Sequence, residues 1–183
     1  MSHIGVRFVS DEIKRDHRDF EILFKGLIQA VDECDDMAAA ALQNQLSWEL
    51  ARHLVAMQLF IFPGTKQRAD EGNGKAIRRQ GDLASLRDRL LHLIDLAPSD
   101  PEFRTACDRL NDSLRQHIRD VERIDLVAIE RALNGEESER MARDWERAGH
   151  FMPDKGRGAP YATVRELLWA SYEDIKRAWE DLR

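Results

Sequence analysis

Residues that interrupt helices or cross-link chains are scarce in this sequence of 183 residues. It has 10 glycines, 5 prolines and 2 cysteines, and Cys34 and Cys107 stand alone without the CxxC spacing of zinc or redox sites. Hydrophobic residues make up 43% and charged residues 34%. This composition is too apolar for a disordered chain and suits amphipathic helices. The sequence therefore predicts one folded domain built from helices.

Features that would indicate a membrane, a secretory route or a nucleic-acid partner are also missing. No apolar run reaches the ~18 residues of a membrane span, and residues 1–11 lack the apolar core of a secretory signal. The 28 basic and 34 acidic residues are interleaved, so no basic stripe matches a phosphate backbone. Neither a nucleophile elbow nor a phosphate-binding glycine loop is present. We expect a cytoplasmic protein that binds neither membranes nor nucleic acids, and the sequence leaves its oligomeric state open.

Four long segments carry apolar residues at helical spacing, and each ends at residues that stop helices. The predicted helices span about 10–34, 37–62, 74–97 and 101–134. Four helices with short connections predict an all-α, antiparallel four-helix bundle over residues 1–135.

The remaining residues, 136–183, are predicted to form a C-terminal helical extension that packs on the bundle within the same domain. A short helix near 138–148 precedes an irregular stretch at 151–160, and a last helix follows at about 163–181. No period-2 alternation long enough for a strand appears.

Three histidines lie on the inward faces of three predicted helices. At 100° per residue His17 shares the apolar face of the first helix, while His53 and His117 have apolar neighbours on the second and fourth. A buried imidazole needs partners for both ring nitrogens, and carboxylates or metals are the usual ones. Glu21 follows His17 by four residues and Glu122 follows His117 by five. We take these five as candidate catalytic residues; the alternative is core histidines bonded to carboxylates or carbonyls.

Five further residues are predicted to line a substrate pocket beside the histidines. Arg79 and Asp82 fall on the apolar stripe of the third helix, where a buried Arg–Asp pair is an equally good interpretation. Gln58 is expected at the rim. The complete set is Met57, Gln58, Arg79, Asp82 and Val121.

The residues around these histidines resemble the hemerythrin-like HHE family, particularly its fungal members. The matching pieces are residues 16–21, 52–57 and 117–122, and residues 151–160 look like the C-terminal extension of fungal members. The resemblance covers nearly the whole chain and implies the same four-helix bundle.

The resemblance also implies a depleted set of metal ligands. In the family, a di-iron centre is held by one histidine on the first helix, His-x3-Glu on the second, His-x3-His on the third and His-x4-Asp or His-x4-Glu on the fourth. His17, His53, His117 and Glu122 match these positions, but Met57 replaces the second-helix carboxylate and the third helix lacks both histidines. If a metal is retained, these four matching residues are its candidate ligands.

Three functions are compatible with these residues. The first is a cavity without any cofactor that binds a small organic molecule and performs acid–base chemistry on it, such as isomerisation, cyclisation or dehydration. By analogy with divergent fungal members, it would serve specialised metabolism. The alternative is one iron or other transition-metal ion that binds oxygen or redox species. The third is a non-catalytic module that binds a partner through Trp169, Tyr172 and Trp179. We expect the first.

Overall fold

A computed structural model describes residues 7–62, 73–153 and 159–182, with the backbone alone described for residues 73–79. These residues form helices joined by turns, and no strand occurs among them. The predicted all-α bundle is confirmed. Within the same residues, none of the helices combines the length and the apolar character needed to cross a membrane.

The bundle consists of four helical segments, of which the second and fourth each contain a π-helical turn. In chain order, its elements are α1 at Val9–Asp32, α2 at Asp36–Ala56 with a π-helical turn at Met57–Ile61, α3 at Asn73–Ile94, α4 at Phe103–Asp120 with a π-helical turn at Val121–Asp125, and α5 at Leu126–Ala132. Helix α1 packs on α2 and α4, and α3 packs on the same two helices. The four segments therefore enclose one shared core.

The turn between α1 and α2 combines two local signals. Cys34 has a φ of 55°, in the left-handed region that commonly ends helices. The Asp35 side chain then accepts a hydrogen bond from the backbone N–H of Ala38 at 3.0 Å, which caps α2. The chain reverses over three residues, so α1 and α2 become neighbours.

The extension is also helical and packs on the bundle. Its elements are α6 at Gly135–Arg147, a 3-10 turn at Ala148–Phe151, α7 at Val164–Trp169 and α8 at Tyr172–Leu182. Helix α6 packs on α1, α7 on α2, and α8 on the π-helical turn that follows α2. The boundary at residue 135 between bundle and extension stays a prediction.

The last predicted helix is divided into α7 and α8. Ala170 leaves the helical conformation, and the Ser171 hydroxyl accepts a hydrogen bond from the backbone N–H of Asp174 at 3.1 Å. A serine in this position is a helix cap. The helix therefore restarts there, although the apolar spacing continues across the break.

Asn134, which was predicted to end the fourth helix, also caps the start of the next one. The Asn134 side chain accepts a hydrogen bond from the backbone N–H of Glu137, and the Glu137 carboxylate accepts one from the backbone N–H of Asn134, both at 2.9 Å. This reciprocal pair is a capping box. It begins α6 directly after α5, which places α6 beside α1.

The π-helical turn after α4 changes which later residues face the core. Regular helical spacing predicts Ile124 and Ala128 inward, but both are exposed. Asp125, Leu126 and Ile129 are buried instead. A π turn contains about one residue more than an α turn, so the inward face moves on by one position.

Candidate metal centre

Three buried histidines from three segments of the bundle meet in its core. His17 lies on α1, His53 on α2 and His117 on α4, with exposed fractions of 2%, 0% and 6%. The ring centroids are 5.3 Å apart for His17 and His53, 5.5 Å for His53 and His117, and 6.1 Å for His17 and His117. One ring nitrogen from each lies within 4.8 Å of the other two. Three imidazoles can therefore share one ion.

The ring nitrogens are arranged as metal ligands would be. Nε2 of His53 lies 3.2 Å from Nε2 of His117. Two nitrogens bound to one ion at ~2.0–2.1 Å lie about 2.9–3.4 Å apart at octahedral to tetrahedral angles. Nε2 of His17 is buried and finds no hydrogen-bond partner among the described residues. Leaving such an atom unsatisfied costs ~1–3 kcal/mol, and a metal ion would satisfy it.

A buried carboxylate orients His53. Oδ2 of Asp16 accepts hydrogen bonds from Nδ1 of His53 at 3.2 Å and from the indole Nε1 of Trp145 at 2.9 Å, and it pairs with the Arg52 guanidinium at 2.6 Å. Burial alone would raise the pKa of Asp16, but the Arg52 charge and the His53 bond together hold this pKa well below its usual range. An ionised Asp16 places the His53 proton on Nδ1 and leaves Nε2 as the free lone pair.

Glu122 orients His17 in the same way. Its Oε1 lies 2.8 Å from Nδ1 of His17, and its side chain is 35% exposed. Because a carboxylate accepts, this nitrogen carries the proton and Nε2 remains available. Glu122 was predicted as a direct metal ligand, a role that stays a prediction; in the structure it contacts the histidine.

Burial keeps all three imidazoles neutral. For His53, burial outweighs the hydrogen bond and the charge of Asp16 and lowers the pKa to about 4. Burial lowers the pKa of His17 despite the opposing bond to Glu122. The pKa of His117 lies well below its ordinary value, because of burial first and the neighbouring histidines second. Neutral imidazole is the form that binds metals.

Several predicted site residues lie elsewhere. Glu21 on α1 and Asp82 on α3 are exposed, since both lie at the edge of an apolar stripe that the neighbouring helices do not cover. Gln58 lines a groove of about 720 Å³ between α2, α3 and the extension, whose described lining includes no histidine. The side chain of Arg79 lies outside the described residues.

The two predicted apolar pocket residues are buried next to the histidines along the chain. Met57 is 0% exposed and Val121 is 3% exposed. Each follows a clustered histidine by four residues and begins a π-helical turn. Such turns are frequent at functional sites in helices.

Sequence reasoning missed three residues of the site. Asp16 lies on the apolar stripe three residues after Ile13, a signal that could have identified it as a buried acid. Arg52 precedes His53 and is 6% exposed, which no periodic pattern indicated. Trp145 belongs to the extension, and nothing local shows which bundle residue it reaches.

Bundle proteins that hold metals between their helices do so with inward side chains, and the three histidines gathered in this core could serve in that way. Residues 9–129 match the hemerythrin HHE cation-binding domain, so the chain belongs to the hemerythrin HHE family. The predicted family is confirmed.

Two relatives extend this comparison. The chain is 29% identical over 178 residues to an uncharacterised hemerythrin-like protein of Schizosaccharomyces pombe, covering 94% of this chain and 86% of that protein. It is 28% identical over 141 residues to a DNA nickase of Nostoc sp., covering 76% of this chain and 38% of that protein. No solved structure matches the chain.

The prediction that the cavity holds no cofactor is wrong. The matched domain is a cation-binding one, and the buried cluster of His17, His53 and His117 can hold a metal ion. The error came from counting the ligands missing relative to a two-metal site. Three imidazoles with carboxylate partners are enough for one ion.

Proposed function

We propose that the protein binds one transition-metal ion through Nε2 of His17, His53 and His117. The observation that carries this proposal is the buried Nε2 of His17, which lacks a partner among the described residues beside the close His53–His117 pair. Imidazole nitrogens suit iron, zinc, copper and nickel. With three protein ligands, such an ion supplies open positions for a small outside ligand.

The surrounding side chains support this ion in two ways. Asp16 holds the Nδ1 proton of His53, and Glu122 holds the Nδ1 proton of His17. Both bonds keep the Nε2 lone pairs of these histidines available for an ion. The Phe20 ring lies 5.2 Å from the His53 ring and, like Met57, is almost fully buried. Apolar walls exclude bulk water and strengthen the interaction between an ion and its ligands.

The stoichiometry we propose is one ion per chain. Residues 75–83 of α3, where the family's third-helix histidines would lie, contain no histidine or cysteine, and their one acidic residue, Asp82, is exposed. The buried Met57 occupies the second-helix carboxylate position. A second ion would therefore lack most of its ligands.

The test is the metal content of protein purified without chelator or nickel affinity resin. Wild-type protein should contain about one metal ion per chain by mass spectrometry, and His53→Ala should contain almost none. His92→Ala is the matched control, because His92 is exposed on α3. Circular dichroism verifies that the variants remain helical. A wild-type protein that neither retains metal nor binds added Fe(II) or Zn(II) would overturn the proposal.

The other two predicted functions gain no support from these contacts. Of the five residues predicted for acid–base chemistry, Glu21 is exposed, and the histidines and Glu122 do not line the described groove that could admit an organic substrate. A partner-binding surface would use Trp179, but this ring is 6% exposed and packs 5.1 Å from the Phe60 ring. Trp169 and Tyr172 are exposed, at 61% and 42%, and this alone does not define a partner.

A further inference from the structure

One side chain of the C-terminal extension reaches the metal centre. Trp145 lies on α6 and is 1% exposed. Its indole N–H donates to Oδ2 of Asp16 at 2.9 Å, and its ring lies 5.3 Å from the His53 ring at 80°. Trp145 therefore contacts both the orienting carboxylate and the histidine that this carboxylate holds.

The position of α6 is fixed at both ends of the helix. Near its start, the Ser138 hydroxyl accepts a hydrogen bond from the backbone N–H of Val9 at 3.0 Å and donates to Glu130 at 3.1 Å. Toward its end, the Trp145 ring lies 6.4 Å from Phe60, which also contacts Trp179. The packing of α6 against the bundle therefore fixes the position of the indole N–H, in addition to the side-chain rotamer of Trp145.

Trp145 contacts two groups of the site, the Asp16 carboxylate and the His53 ring. Arg52 also donates to Oδ2 of Asp16, but it pairs with Glu49 at 3.6 Å as well. The flat indole also contacts the ring of His53 edge to face. It can therefore restrain the Asp16 oxygen and the plane of the imidazole at the same time.

We propose that Trp145 is a positioning residue of the metal centre: the extension supplies the indole N–H that fixes Asp16, and Asp16 in turn directs Nε2 of His53 toward the ion. Residue 145 lies beyond the matched domain, which ends at residue 129. The inference rests on the proposed function, because it assigns Trp145 a role toward the same ion.

The test compares Trp145→Phe with Trp179→Phe in the full chain. Phenylalanine keeps an aromatic ring but removes the N–H donor. Trp179 belongs to the same extension and contacts Phe60 and Arg147. Loss of the carboxylate that holds a metal-binding histidine typically weakens metal affinity ~10–100-fold, and loss of a donor to that carboxylate should give the lower end of this range. Zn(II) and Fe(II) titrations should therefore show about tenfold weaker binding for Trp145→Phe, with Trp179→Phe within about twofold of wild type.

A second readout uses the metal-free protein. In a nitrogen-15 correlation spectrum, the Trp145 indole proton should exchange slowly with solvent and disappear in Trp145→Phe. It should shift in Asp16→Asn, which weakens its acceptor. The inference would be overturned if the Trp145 indole proton exchanges rapidly with solvent and its chemical shift does not change in Asp16→Asn.

The two proposals fail differently. If wild-type protein binds one ion and Trp145→Phe binds it equally well while remaining folded, the inference about Trp145 is overturned and the metal site stands. If wild-type protein binds no metal, the proposed function falls, and the role of Trp145 toward the ion falls with it even where the indole proton reports the Asp16 bond.

Discussion

At the scale of single residues, Asp16 is the most constrained side chain of the site. Its Oδ2 accepts hydrogen bonds from His53 and Trp145 and pairs with the Arg52 guanidinium. These three partners come from two different helices. The Arg52 guanidinium is 7% exposed and needs an anion nearby. Asp16 therefore stabilises the fold as well as orienting His53, which we propose as a metal ligand.

Replacing Asp16 with Asn should lower the free energy of unfolding by about 3 kcal/mol, because a buried guanidinium loses its main counter-charge. Glu49 lies 3.6 Å from Arg52 and keeps the loss at the lower end of the range for broken buried pairs. Urea denaturation measures the change. The matched control is Asp19→Asn, an exposed position on the same helix, which should change stability by less than ~0.5 kcal/mol. Equal effects of the two substitutions would contradict this role of Asp16.

At the scale of elements, the two π-helical turns have the same relation to the cluster. One begins four residues after His53 and the other four residues after His117. The wider turn at Val121–Asp125 begins directly after the α-helical hydrogen bond from Val121 N–H to His117 O. Glu122 lies in this turn, and its Oε1 is 2.8 Å from Nδ1 of His17.

Deleting Ile124, which is 49% exposed, should convert this turn into ordinary α-helix. The flanking core residues should keep their register, because the π turn holds one additional residue. Glu122, however, should rotate away from His17. We expect helical circular dichroism close to wild type and metal affinity about tenfold lower. Loss of the whole fold, or unchanged affinity, would argue against the idea that the additional residue serves the site.

At the scale of the molecule, the extension belongs to the same core as the bundle. Trp145 and Phe151 are almost fully buried, and α7 and α8 cover the second segment of the bundle. The bundle therefore differs from a free-standing four-helix domain, since Trp145 of the extension contacts Asp16 in the candidate site.

Trp145→Ala should therefore destabilise the protein by ~3–5 kcal/mol, as expected for removing a buried indole. Trp169→Ala removes the same side chain from a position that is 61% exposed and should cost under ~1 kcal/mol. Thermal and urea denaturation of both variants compare these losses. Similar, small effects would mean that the extension is attached loosely and not as part of the core.

The spacing of apolar residues was sufficient to predict the helices of the bundle and the inward position of the three histidines, because apolar spacing and caps are local properties of the chain. His17, His53 and His117 could be placed on inward faces without any structure. The positions of Ile124 and Ala128 could not be predicted, since a single additional residue in a π turn is invisible to a regular 3.6-residue pattern.

The sequence by itself determined an all-α bundle with three imidazoles in its interior and no histidine on α3 before His92. Only the tertiary structure decided that Asp16 and Glu122 hold the Nδ1 atoms and that Trp145 reaches Asp16 across 129 residues of chain. The physical reason is that helix formation and burial follow from neighbours along the chain. A hydrogen bond between distant helices depends on how those helices pack, which no local pattern specifies.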